Sequence, residues 1–231
     1  DEIKNNASAF FATQLRCVTK EDYTARIQSI PTKFGSIAKA YVERSDNSLL
    51  VSTLSYNSNR QLVQTPELVL QNVAIYLNQF RMINDIVDFG FNLNDILYSG
   101  YLINFGVDFI INGDRRFDST ETKLNVIQVI KDFFKVEKMQ FRQSINMNDL
   151  QYNILGLDGV IGIQKLELSQ NLQDRQLHSL QGDGDSSSGE SGYGFQYKFS
   201  GALENGIYKP SVTPSVFELK NPNQDIYGKV I

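Results

Sequence analysis

Residues 105–111 alternate: Phe105, Val107, Phe109 and Ile111 are large and apolar, and Gly106, Asp108 and Ile110 fall between them. Successive side chains on a strand point to opposite faces, so this spacing predicts a strand with one face in a core. Gly113-Asp114 ends it, and the period then changes. Asp118, with Glu121 three positions on, starts a helix whose expected core stripe is Leu124, Ile127, Ile130 and Phe134. A period of two followed at once by one of about 3.6 restricts the chain to folds that pack helices against sheet.

The same reasoning extends in both directions. Ile3, Ala7, Phe10, Phe11 and Leu15 fall close to one helical stripe. A second helix begins near Thr19, where Thr19 and Asp22 have the spacing of a capping box. Tyr23, Ile27 and Ile30 form its buried face, and Pro31, which lacks an amide donor, stops it. Residues 36–43 and the run LLVSTLSY read as a hairpin joined at Ser45-Asp46-Asn47. A third helix has Thr65 as its expected cap, Pro66 at its first position and Val69, Val73, Tyr76, Leu77 and Phe80 at helical spacing. Residues 85–100 take no clear assignment, and a short helix is expected around Met147, Leu150 and Ile154.

In GVIGIQKLEL, Ile161 and Ile163 fall in one alternation phase and Leu166 and Leu168 in the other. A β-bulge near Gln164-Lys165 absorbs that slip. Strands separated by helices can pair in parallel through right-handed crossovers. One mixed β-sheet covered by helices, a ββαβ-type core preceded by N-terminal helices, is the simplest outcome, and the expected class is α+β.

After residue 170 the composition turns Gln-rich and then to GDGDSSSGESGYG, which has little apolar area to bury. The expected division is a domain over 1–170, a linker or loop over 171–194, and an extended or β arm over 195–231. Within the arm, Phe195, Tyr197 and Phe199 alternate, and Val216, Phe217 and Leu219 lie between Pro214 and Pro222. The arm also holds Tyr193 at its border, Tyr197, Tyr208 and Tyr227, rings that would stack on sugars if the chain were a carbohydrate- or host-surface-binding module.

The formal net charge is −4 and the 22 basic residues are scattered, so nucleic acid is not an expected partner. Arg115-Arg116, the only adjacent basic pair, reads as a solvated turn. No run approaches the ~18 apolar residues of a membrane span. With one cysteine and no signal peptide, the expectation is a soluble protein of a reducing compartment, in which the Asn6-Ala7-Ser8 sequon has no role. A chain opening at Asp1 reads as a piece of something longer.

Side chains able to do chemistry are scarce. One His and one Cys exclude His- or Cys-rich zinc sites; Cys17 reads as a buried structural thiol and His178 as a solvated residue. Asp183, Asp185 and Ser187 resemble the start of a calcium loop, but Ser188 stands in place of its glycine and Gly194 in place of its last ligand. The glycines at 182–194 lack phosphate-loop spacing. Asp85, Asp88 and Asp95 could form a carboxylate cluster, with solvated loop acids as the plainer reading. No catalytic, cofactor-binding or metal-binding residue is assigned, and no enzyme is expected.

The stretch AFFATQLRCVTKEDYTARIQSIP, residues 9–31, followed by FGSIAKAYV, resembles the signature of the baseplate J-like family of contractile phage tails and related injection machines. In that pattern a helix runs into an Arg, a small residue, Val-Thr, two variable residues and Asp-Tyr, here Arg16, Cys17, Val18, Thr19, Asp22 and Tyr23. Within the family the likeness is to the C-terminal part of the inner wedge proteins, where Cys follows the Arg and Phe-Gly-Ser-Ile, here Phe34 to Ile37, follows the helix. It extends over about residues 2–170. The resemblance implies a structural protein of the virion tail baseplate, assembled in the host cytoplasm, with no cofactor. Its copies would contact each other, as a homodimer or in a ring, and other baseplate wedge proteins. Thr19 and Asp22 would fix a helix start, with Val18 and Tyr23 packing across it.

Overall fold

The computed structural model describes residues 16–45, 48–81, 86–88, 100–170, 197–210 and 214–231. The helix expected over residues 3–15 lies outside them. The class is α+β, and the chain forms two compact units, Asp1–Gly100 and Tyr101–Ile231.

In the first unit, helix α1 (Lys20–Gln28) starts at the expected capping box. The Asp22 amide donates to Thr19 Oγ1 at 3.1 Å, and Asp22 Oδ2 accepts from the amides of Thr19 at 2.9 Å and Val18 at 3.1 Å. Tyr23, Ile27 and Ile30 are buried as the spacing predicts, but Val18 is 52% exposed. A 3-10 turn, Thr32–Phe34, leads to Gly35, whose φ of 124° suits glycine; a Cβ there would also lie 2.5 Å from Val69 Cγ1. Strands β1 (Lys39–Ser45) and β2 (Ser48–Tyr56) form the expected antiparallel hairpin. Strand β3 (Leu62–Gln64) adds antiparallel to the end of β2, and β4 (Ile86–Asp88) pairs parallel to its beginning.

Helix α2 (Glu67–Leu77) begins after Pro66 without a side-chain cap. Thr65 is not the cap. It is buried, and its Oγ1 accepts from Thr53 Oγ1 at 2.9 Å and Ser55 Oγ at 3.2 Å, tying the helix start to β2. The unit's core gathers Cys17, Tyr23, Ile27 and Ile30 with Val42, Leu49 and Val51 of the hairpin and Leu70, Val73 and Leu77 of α2.

The second unit is built on β5 (Tyr101–Asn104) and β6 (Gly106–Gly113). Phe105, Val107, Phe109 and Ile111 are all buried, as the alternation requires. Helix α3 (Ser119–Phe133) follows, with Asp118 accepting from the amides of Thr120 and Glu121. Its buried stripe is Thr122, Val126, Ile130 and Phe134. Leu124, expected inside, is exposed, because Thr122 and not Leu124 faces Gly159 just before the last long strand of this unit. Then come β7 (Ile145–Asn146), α4 (Met147–Leu155), which buries Met147, Leu150 and Ile154, and β8 (Val160–Ser169).

Strand β8 pairs with β6 antiparallel. A single helix between them would have returned the chain for parallel pairing. Two helices carry it across and back, so β8 starts where β6 ends, and the Asp114 amide donates to the Gly159 carbonyl at 2.9 Å. The bulge falls where the phase slip demands it. Lys165 faces Ile110 and Ile163 faces Ile111, leaving Gln164 over, and this brings Ile163, Leu166 and Leu168 to one side.

The described residues from 197 onward hold short strands, as the β alternative expects, but these pair with β5, β6 and β7 instead of standing apart as an arm. The pairs β9 (Leu203–Glu204) and β10 (Ile207–Tyr208) make a small hairpin, and β10 also pairs with β7. Strand β11 (Ser215–Glu218) runs parallel to β5, and β12 (Ile226–Val230) runs parallel to β6. In place of one mixed sheet, the described strands form four: the β1–β4 sheet, β12-β6-β8, β11-β5 and β7-β10-β9. Residues 197–199 are not a strand, but Tyr197 and Phe199 are buried. Rings from five segments meet around them: Phe105 packs on Phe134 at 4.9 Å, Tyr197 on Phe199 at 4.6 Å and on Phe217 at 5.5 Å, and Phe199 on Tyr208 at 5.3 Å. Such edge-on pairs add to the area they bury.

Candidate assembly surface

The motif from Arg16 to Tyr23 builds a joint rather than a reactive site. Besides the capping box, the Cys17 amide donates to the Phe80 carbonyl at 2.8 Å, fixing the start of α1 to the end of α2. Arg26 is buried with its guanidinium 4.1 Å from the centre of the Phe80 ring. Cys17 is a buried free thiol. Burial pushes its pKa up and the adjacent Arg26 only partly opposes this, so the thiolate that nucleophilic chemistry needs is disfavoured. Asp22 is also pushed up by burial, but the amide bonds from Thr19 and Val18, with the Thr19 hydroxyl and the Arg26 charge, together outweigh that and hold its carboxyl below the ordinary range.

Of the three carboxylates that could form a cluster, Asp85 and Asp95 lie outside the described residues, and Asp88 ends β4. His178, Asp183, Asp185 and Ser187 also lie outside them. Among the described residues no group of three or more His, Cys, Asp or Glu could hold a metal ion, and no helix is long and apolar enough to cross a membrane. Arg116 forms an ion pair with Asp114 at 2.5 Å in the turn after β6, which accounts for half of the basic pair; Arg115 beside it is exposed. Of the four tyrosines considered for sugar stacking, Tyr193 is outside the described residues. Tyr197 and Tyr208 are core rings, with the Tyr197 hydroxyl donating to the Lys209 carbonyl at 2.6 Å. Of the three described, Tyr227 alone presents its ring to solvent, so these three do not form a common exposed face.

What the second unit does present is an apolar end. The end of β6, the start of β8 and the end of β12 meet there: the Gly113 amide donates to the Ile231 carbonyl at 2.9 Å, and Asp114 bonds Gly159. Phe117, just before α3, lies over Gly159, where a Cβ would fall 3.1 Å from its own Cβ. Gly159 has a φ of 86°, so glycine serves both the backbone and this close approach. Between Asn112↔Gly162 and Gly113↔Val160, Ile161 is a second extra residue, and this bulge turns its side chain outward. Phe117, Ile161 and Ile231 are 48%, 66% and 61% exposed, and Leu155 at the adjoining end of α4 is 49% exposed. Large apolar side chains exposed on neighbouring segment ends make this the candidate contact surface of the unit. Sequence periodicity does not reveal this group, since Phe117 and Ile231 are distant along the chain from Leu155 and Ile161. The first unit offers a smaller stripe, Leu68 and Ile75, exposed seven residues apart on α2.

No protein-family model matches the chain, and no curated protein matches it. Among solved structures it is similar to a chain of the anti-feeding prophage baseplate, seen by cryo-electron microscopy with six-fold symmetry imposed. The likeness has a TM-score of 0.51 at 11% identity, over 93% of this chain and 40% of that one. At that identity the likeness is one of fold. The chain spans less than half the length of the baseplate chain it resembles.

Proposed function

We propose that this chain is a structural part of a contractile-tail baseplate, a wedge component of the baseplate J-like kind that works by assembly and performs no catalysis. One observation carries the reading: nearly the whole chain shares its fold with a protein of the anti-feeding prophage baseplate. The motif from Arg16 to Tyr23 supports it from an independent direction, because its residues form the joint between α1 and α2. In this reading the chain sits in the virion tail, where copies contact one another and other wedge proteins, and the apolar end built from Phe117, Leu155, Ile161 and Ile231 is one of the surfaces covered on assembly.

Co-expression with the tail proteins encoded beside it, followed by size-exclusion chromatography with light scattering, tests this. A stable complex is expected, and Phe117→Glu with Ile161→Lys should weaken it on the order of tenfold or more while shifting thermal unfolding little, since Ile161 is 66% and Phe117 48% exposed. A chain that stays monomeric and binds none of those proteins overturns the proposal. If a complex forms that the double substitution does not weaken, the baseplate reading stands and this surface is the wrong one.

A further inference from the structure

The sequence contains two Asn-Gly steps, Asn112-Gly113 and Asn205-Gly206, and the structure treats them differently. We propose that Asn205 is a site of spontaneous self-modification, converting to aspartate and isoaspartate in the native protein, and that Asn112 is protected. In the reaction the deprotonated amide nitrogen of the glycine attacks the side-chain Cγ of the asparagine. A nitrogen–carbon bond forms, the side-chain carbon–nitrogen bond breaks, and ammonia leaves to give a five-membered succinimide. Water then adds to either ring carbonyl, yielding aspartate or an isoaspartyl linkage. Solvent and hydroxide are the only co-reactants.

Asn205 has what this reaction needs. It is exposed at the two-residue tip between β9 and β10, in the left-handed region with φ at 52°. Gly206 carries no side chain to screen its nitrogen from the attacked carbon. The bonds at the tip engage carbonyl oxygens, not that nitrogen: the Met147 amide donates to the Gly206 carbonyl at 2.8 Å, and Asn148 Nδ2 to the Asn205 carbonyl at 3.3 Å. The left-handed turn has to open before Cγ and nitrogen align. The β9–β10 ladder is only two residue pairs long, so the edge strand β9 can peel away and open the turn while β10 stays paired with β7.

Asn112 is held on every side. It lies in β6 between β12 and β8, the Gly113 amide is committed to the Ile231 carbonyl at 2.9 Å, and Asn112 Oδ1 accepts from Gln164 Nε2 at 2.7 Å. Conversion at Asn205 would add a negative charge to the tip, and the isoaspartyl form would also lengthen the backbone where the Gly206 carbonyl caps the first amide of α4. The hairpin is thus a clasp on α4 that loosens with age.

The test is time-resolved peptide mapping by mass spectrometry of the full chain held in mildly alkaline buffer, with enzymatic labelling of isoaspartate. The peptide containing Asn205 should convert on the order of tenfold faster than the one containing Asn112, the difference should vanish in guanidinium, and Asn205→Ser should abolish the fast component. Equal native rates, a faster Asn112, or an Asn205 that converts only when the chain is unfolded would each overturn the proposal.

Discussion

Replacing Gly228 by alanine separates two views of the C-terminal residues by the sign of one number. If 195–231 were an extended arm, a methyl group at Gly228 would meet nothing. It would then stabilise the fold by about 0.4–1 kcal/mol, because alanine has fewer unfolded conformations to lose than glycine. In the structure Gly228 lies in β12 directly opposite Phe109, and a Cβ would fall 2.4 Å from Phe109 Cε1 and Cζ. Carbon atoms in contact sit about 3.5–4.0 Å apart, so the overlap is about 1 Å. The ring cannot yield cheaply, since Phe109 is 1% exposed in the middle of the β6 core. Overpacking of this kind costs about 1–3 kcal/mol and exceeds the entropic gain, so Gly228→Ala should be net destabilising by about 1–2 kcal/mol. Urea unfolding followed by circular dichroism measures this as a lower midpoint at unchanged slope. Gly162→Ala is the control: its Cβ would meet only Asn112 Nδ2 at 3.9 Å, and it should be neutral or slightly stabilising. Adding Phe109→Leu to Gly228→Ala should restore part of the loss as a favourable coupling. A Gly228→Ala chain at least as stable as the parent would refute the placement of β12 in the core.

Three further outcomes follow from the first unit. Thr19→Ala removes one half of the capping box and should cost about 0.5–2 kcal/mol in the same unfolding assay. Asp22 should make stability acid-sensitive. Its carboxyl is held below the ordinary value, so its contribution is present above about pH 4 and is lost as pH falls through the folded value. The stability gap between the parent and Asp22→Asn should therefore be widest near neutrality and close in acid, and a gap independent of pH would refute the assigned bonds. Thr65→Val keeps the shape but removes the oxygen that both Thr53 and Ser55 donate to, and should cost about 1–3 kcal/mol, more than a surface threonine would.

The features that sequence reasoning recovered are those decided within a few residues. The caps at Thr19 and Asp118 depend on a side chain reaching an amide two or three positions away, and the Gln164 bulge follows from a phase slip in one strand. The features it missed are decided by distant partners. Thr65 has a suitable side chain and a Pro-Glu after it, yet it bonds β2, because two hydroxyl donors there need an acceptor once buried. Leu124 fits the apolar stripe of α3 better than Thr122 does, but Gly159 leaves room that Thr122 fills. Nothing within α3 records that.

The C-terminal strands show the same limit on a larger scale. Their neighbourhood of small polar residues made 195–231 look peripheral, while the rings at Tyr197, Phe199 and Phe217 carried the contrary signal. An aromatic group costs too much to leave in water in such numbers, and Phe105 and Phe134 were the available partners. The candidate surface was hidden for a related reason. Phe117, Leu155, Ile161 and Ile231 are ordinary core residues by type, and only a bulge, a tight glycine and the meeting of three strand ends turn them outward together. A protein that works by chemistry leaves rare residue types in its sequence. One that works by assembly, the reading proposed for this chain, uses the same apolar residues for its core and its contacts, and residue type alone does not separate the two.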